Sequence, residues 1–404
     1  MEGAEQSERE RWWRMVLAAG LTLWLAGFWF WSDASTHRLA LFVLVLPGLV
    51  LNWRELREVV RGERWLWLVG VLLVYQWLST FWSDPRINPG GYWLDVVMTG
   101  SFLLGVMAIS RSPLVLRWVF PALGLLAALV ALVSLLVFYA EPGRSVAEDR
   151  LRNVWVYEEG LNPVWTGLLC SFGALVAAWK ATREGLGRWR WVWLGALVVL
   201  VLGLLASQSR GAMLAFGVGM GVLVVMERRR AVPSLVVCAM SGLAFFILLA
   251  TVQSGSEAAR DMIGRGTTGR FDIYGWFFKQ MAELDGVIGK GMGAPASVPE
   301  EEFGWFVRHP HSVYLTQLYL TGVIGLGLLL TILTVALQWS FKLARAGEAL
   351  WLALLGGGCV ALVFDGSYVF SLHSMGRLEP LLLLLPATLA VGRGRGMKGE
   401  GLPL

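Results

Sequence analysis

The stretch Trp191-Val192-Trp193-Leu194-Gly195-Ala196-Leu197-Val198-Val199-Leu200-Val201-Leu202-Gly203-Leu204-Leu205-Ala206, followed by Ser207-Gln208-Ser209-Arg210 and then by Gly211-Ala212-Met213-Leu214-Ala215-Phe216 on to Met226, decides the fold. Two apolar runs flank four polar residues. About 20 apolar residues cross a bilayer as a helix, with tolerance for shorter spans, so this reads as two membrane helices joined by a tight turn.

The rest of the chain repeats the pattern. It has 404 residues, is 56% hydrophobic with a mean hydropathy of +0.61, and is only 16% charged. Soluble domains carry about 25% charged residues, so composition excludes a large soluble protein. Many of the 22 tryptophans, among them Trp12, Trp31, Trp53, Trp65 and Trp118, flank apolar runs and suit a headgroup belt; stacking on sugars is the alternative use. Cys170, Cys238 and Cys359 each lie in a separate apolar run, with neither disulfide nor metal spacing. The first apolar run has no small-residue cleavage site after it and reads as an uncleaved helix.

Predicted spans are 12–32, 39–53, 65–82, 93–110, 117–139, 163–179, 191–206, 211–226, 232–253, 313–341, 348–370 and 379–391. The expectation is an all-α polytopic membrane protein of about twelve transmembrane helices. With the N-terminus inside, 21 of the 34 lysines and arginines fall in cytoplasmic segments, including Arg54, Arg57, Arg61 and Arg64 and the run Arg228, Arg229 and Arg230. That bias places both termini in the cytoplasm. It also accounts for the formal charge of +5 without a nucleic-acid partner.

Three parts follow: residues 1–253 with helices one to nine, an external loop over 254–312, and residues 313–404 with the last three helices and a cytoplasmic tail. The loop is far longer than an ordinary connection and needs its own structure or a function. Ile273, Trp276, Phe277, Gln280, Met281 and Leu284 recur at helical spacing and predict an amphipathic helix able to lie on the membrane. Pro299 followed by Glu300, Glu301 and Glu302 predicts a second short helix. Gly289-Lys290-Gly291-Met292-Gly293 lacks the strand–turn–helix setting of a nucleotide loop and reads as a flexible turn.

Several residues can carry chemistry. Arg210, at the turn between two helices, can grip phosphate oxygens bidentately or merely snorkel to lipid headgroups. Arg265 and Arg270, in a glycine-rich segment, can clamp a diphosphate or form a solvated basic loop. His311 is the candidate general base, held by the helix that follows it, whereas His309 points elsewhere if the segment is extended. Two histidines with no neighbouring cysteine or well-placed carboxylate make a weak zinc signature, and no Asp-x-Asp pair is present, so no metal and no cofactor is expected. Asp365, at the outer end of the eleventh span, needs an arginine or histidine partner, for structure or for catalysis. Asp95 invites the same reading, and Arg86, in an external turn, is a further candidate for the anion site.

The order of these motifs resembles the bacterial O-antigen ligase family. The resemblance runs through Ser209-Arg210-Gly211-Ala212, Arg270-Phe271-Asp272-Ile273-Tyr274, Gly289-x-Gly291, His311-Ser312-Val313-Tyr314-Leu315 and Thr321-Gly322-Val323-Ile324-Gly325, and covers roughly 160–345. It implies a multi-pass enzyme of the bacterial inner membrane with its site facing the periplasm. Such an enzyme moves O-antigen glycan from undecaprenyl diphosphate to lipid A–core in lipopolysaccharide biosynthesis, without metal or ATP. It further implies His311 as catalytic residue and Arg210 with Arg270, or Arg265 in its place, on the donor diphosphate. Ser312 stands where the family pattern has Asn, and Tyr274 where it has Trp. An O-antigen polymerase or a protein O-oligosaccharyltransferase shares the chemistry. A glycan flippase or transporter would instead place charges at mid-membrane and repeat its helical halves, and the conspicuous charges here gather at the outer face.

Overall fold

The computed structural model describes residues 2–30, 46–51, 53–83, 89–110, 112, 115–146, 148–154, 162–184, 187–252, 269–281, 283–369 and 378–399. The chain is an all-α, multi-pass membrane protein. Its helices are α1 (Glu2–Phe30), α2 (Leu46–Leu51), α3 (Trp53–Gly62), α4 (Arg64–Ser79), α5 (Pro89–Ile109), α6 (Phe120–Ala140), α7 (Pro163–Arg183), α8 (Arg188–Ala206), α9 (Arg210–Glu227) and α10 (Val232–Val252). They continue with α11 (Arg270–Gln280), α12 (Glu283–Ile288), α13 (Glu300–Phe303), α14 (Val313–Arg345), α15 (Leu350–Phe364) and α16 (Leu385–Gly399), the last led in by a π-turn at Pro380–Leu384.

Among the described residues, seven helices are long and apolar enough to cross a membrane, and three shorter apolar helices cover Met15–Phe30, Val232–Ile247 and Leu350–Phe364. The expected second span, 39–53, lies partly outside the described residues. Its described part is the short α2, and the amphipathic α3 follows, with Arg57 and Glu58 exposed and Leu56 buried.

α7 is the hub, with 83% of its most apolar window buried. Small residues make this position available, because they let neighbouring backbones close in. A Cβ added at Gly173 would lie 2.7 Å from the Cβ of Ala127 on α6, and Gly203 of α8 faces Cys170.

α14 is 33 residues long but is not one straight helix. Gly322 adopts φ 64°, where a side chain would strike the Val287 carbonyl, 2.1 Å from the Cβ position. The break exposes carbonyls that an unbroken helix would satisfy internally. The Gly289–Gly293 segment takes them: the Lys290 N–H donates to Tyr319 O at 3.0 Å and the Gly291 N–H to Leu320 O at 2.8 Å. Tyr75 of α4 donates to Thr321 O (3.2 Å) and Ile288 O (3.1 Å), and Ser79 Oγ accepts from the Met292 N–H (3.0 Å). The expected flexible turn is therefore a clamped plug. Positive φ at Gly289 and Gly291, with Leu320 and Ser79 backbone pressed against them, is what its glycines serve.

α11 also differs from expectation. Helical spacing continues through Leu284, but Met281 is extended and ends the helix before α12 begins. Its apolar face is not on lipid: Ile273 and Phe277 are buried with Met292, Val298, Val307, Leu315 and Tyr319 against the start of α14. The short helix expected after Pro299 is α13.

Candidate active site

The polar turn after α8 is shaped by its own side chains. Ser207 Oγ donates to Leu204 O at 2.6 Å, Gln208 sits at φ 49°, and Ser209 Oγ accepts from the Ala212 N–H at 3.4 Å as the N-cap of α9. Gly167 of α7 gives the turn its place, since a Cβ there would come within 2.5 Å of Ser207 Oγ. Arg210 is thus the exposed first residue of α9. Arg270 is likewise the first residue of α11, behind Gly269 at φ 67°. α7 starts after Asn162, whose side chain accepts from the Val164 N–H at 3.1 Å.

Residues from these three helix starts, Val164, Arg210 and Arg270, line one cavity of about 490 Å³. Leu168, Leu214, Ala361 and Phe364 form its apolar part. Helix N-termini carry partial positive charge, and guanidiniums add full charges, so the chamber suits an anion attached to an apolar tail.

A second cavity of about 760 Å³ is polar and aromatic, with Trp305, Arg308, His309, His311, Tyr368 and Glu379 in its lining. Arg150, Val164, Arg270 and Asp365 line both chambers. Arg210 lines only the first and His311 only the second.

His311 is held in an unusual conformation. Its φ of 55° is left-handed, a strain of about 1–3 kcal/mol for a non-glycine residue. The bend folds the segment back, so the expectation that His309 points away fails: the two rings lie 4.3 Å apart and His309 Nδ1 accepts the His311 N–H at 3.1 Å. That bond leaves Nε2 as the protonated nitrogen of a neutral His309. Ser312 caps α14 by accepting from the Leu315 N–H at 3.4 Å, the task an Asn would perform at this position. Tyr274 donates its hydroxyl to Val363 O at 3.0 Å, with His311 O at 3.5 Å, and so ties the histidine turn to the end of α15. Burial pushes the Tyr274 phenol up, against the opposing charge of Arg270, and it remains a donor at neutral pH.

Asp365 meets a histidine, as its cost in this setting requires. Its Oδ1 lies 3.5 Å from His311 Nδ1, and its side chain is only 11% exposed. Burial pushes the carboxyl up, but the hydrogen bond from His311, the Gly366 N–H and the charges that His311 and His309 carry when protonated outweigh burial, so the net shift is downward. An ionised Asp365 holds the proton on Nδ1 and leaves Nε2 of His311 as the acceptor, the arrangement a general base needs. The fold supplies this carboxylate from a distant part of the chain, where the sequence showed none near the histidines. Among the described residues, no three His, Cys, Asp or Glu side chains form a group able to hold a metal ion.

Arg265 and Arg86 lie outside the described residues. Asp95 is buried within α5. Arg150 was not singled out by sequence: it belongs to the polar segment after α6, and its Nε donates to Ser207 O at 3.1 Å. The signal available was a basic residue in a short polar segment, which by itself points to no site.

No curated protein matches the chain. Residues 195–330 match the model of a family described as O-Antigen ligase. The matched span contains the clamped glycine segment, and with it Arg210, Arg270 and His311, three residues that the fold sets in the lining of the two chambers. Over that span, about a third of its length, the chain is similar to the O-antigen ligase family.

Proposed function

We propose that the protein is an O-antigen ligase, transferring O-antigen glycan from undecaprenyl diphosphate to lipid A–core. The reading rests above all on the division of the two chambers: the one lined by Arg210 has an apolar base, the histidine-bearing one is polar, and Arg270, Arg150 and Asp365 stand between them. The polyprenyl chain occupies the apolar part of the first chamber, with its diphosphate against Arg210 and Arg270. An acceptor hydroxyl enters the second chamber beside His311. Its oxygen attacks the anomeric carbon as the bond to the diphosphate breaks, with inversion. Nε2 of His311 takes the hydroxyl proton, and the leaving diphosphate carries away the bonding pair as charge held by the arginines. Fixed cations facing charge that grows during the reaction lower the barrier by several kcal/mol in comparable sites. Asp365 acts through His311, and His309 supports the same turn.

In this reading the histidine turn faces the periplasm, both termini are cytoplasmic, and residues 254–312 form the periplasmic loop. Arg265 and Arg86 are added cations for the same donor, and neither metal nor cofactor takes part. The test is direct. Purified protein in nanodiscs is incubated with undecaprenyl-diphosphate glycan and lipid A–core, and the joined product is sought. Glycan lengthened on the polyprenyl carrier would instead identify a polymerase, and glycan on protein an oligosaccharyltransferase. Movement of intact donor between leaflets with no new bond would identify a flippase.

A further inference from the structure

Trp305 and Phe306 are among the large aromatic residues placed outside the membrane helices. They sit on a loop and not on a membrane helix, yet 53% and 58% of their surfaces are exposed. The loop is closed at its base by an antiparallel bridge, with the Val298 N–H donating to Val307 O at 2.8 Å and the return bond at 3.3 Å. Both valines are buried, so the bridge is anchored in the core. Between them α13 ends at Gly304, whose φ of 74° turns the chain and whose N–H donates to Glu300 O at 2.7 Å. Trp305 therefore projects from a preformed turn. Phe303 stacks on it with centroids 5.9 Å apart, and its ring edge lies over Gly269, 3.6 Å from the position a Cβ would take.

An exposed, braced indole costs hydrophobic free energy unless something covers it. A headgroup anchor is the obvious cover, but Glu300, Glu301 and Glu302 are exposed on the same loop and disfavour an anionic lipid surface. The ring instead lines the chamber that holds His311, together with Trp165 of α7 and the polar Asn162, Arg308 and Glu379. Aromatic faces beside hydrogen-bonding groups match a pyranose ring, whose C–H face is apolar and whose edge carries hydroxyls.

We infer that this loop forms a carbohydrate subsite in which Trp305 stacks on a sugar ring of the acceptor and so presents its hydroxyl to His311. The inference deepens the proposed transfer reaction and rests on it. Trp305 is here a positioning residue, apart from the proton-transfer and diphosphate machinery.

The test measures transfer by the full chain in nanodiscs with lipid A–core as acceptor, alongside calorimetric binding of delipidated core oligosaccharide and of free O-antigen repeat. Trp305→Ala should raise the acceptor KM about tenfold, a typical aromatic contribution, while kcat and the donor KM stay within about twofold. Trp305→Phe should recover most of the loss. An unchanged acceptor KM overturns the inference, and so does a rise confined to the donor KM, which would assign the ring to donor glycan. If the wild type transfers to no acceptor, the proposed function falls and calorimetry decides the subsite. Binding of core oligosaccharide weakened by Trp305→Ala sustains it; an effect confined to the O-antigen repeat, or absence of binding to both, ends it.

Discussion

At the scale of single residues, the contrast between two adjacent imidazoles carries the clearest prediction. His311 has Asp365 on Nδ1 and the polar chamber before it, whereas His309 spends its Nδ1 on the His311 backbone. His311→Ala should lose about 100-fold or more in rate while the protein still inserts and binds donor, and His309→Ala should keep measurable activity. Steady-state transfer assays decide it, and a dead His309→Ala beside an active His311→Ala would reverse the assignment. Arg210→Lys keeps the charge but loses the planar fork, and should lose most of the activity. Arg150→Gln removes a cation common to both chambers and should raise the donor KM about tenfold, most visibly at low salt. Arg210, Arg270 and His311 were legible because each sits in a short local motif. Asp365 was legible as a carboxylate that needed a partner, though not which one. Arg150 was not, because its place depends on a loop folding onto the carbonyl of Ser207, and no local pattern encodes a contact across 57 positions.

Among the elements, the broken helix α14 is the most informative. Long apolar composition revealed the span, and even its excess length, but Gly322 within an apolar run looks like any membrane glycine until its φ is known. The same holds for Gly289 and Gly291, which read as loose turn residues and in fact hydrogen-bond to the opened backbone of α14. Gly322→Val would set a side chain against the Val287 carbonyl and force a left-handed φ on a β-branched residue. We expect it to destabilise the protein by at least about 2 kcal/mol, seen as a lowered thermal transition of the detergent-solubilised protein; an unchanged transition would refute the clamp. Gly327, where a Cβ would meet nothing within 4 Å, is the control, and its alanine variant should melt like the wild type.

For the whole molecule, hydropathy delivered the all-α membrane class, since lipid leaves the backbone few other choices. It set the end of one span less closely, because the apolar segment 348–370 also contains chain that turns away from the helix, at Asp365. The orientation proposal predicts that reporters fused after Lys290 and after Arg229 appear on opposite sides, the first outside; a common side would require a different number of crossings between them. The wall of Arg150, Val164, Arg270 and Asp365 has one more consequence, for the order of events. Two chambers that meet at a wall but are otherwise lined by different residues can be filled together, and no nucleophile on that wall is needed to store the glycan between visits. Initial rates measured against both substrates should therefore give intersecting reciprocal plots, the mark of a ternary complex, and not the parallel lines of a ping-pong enzyme.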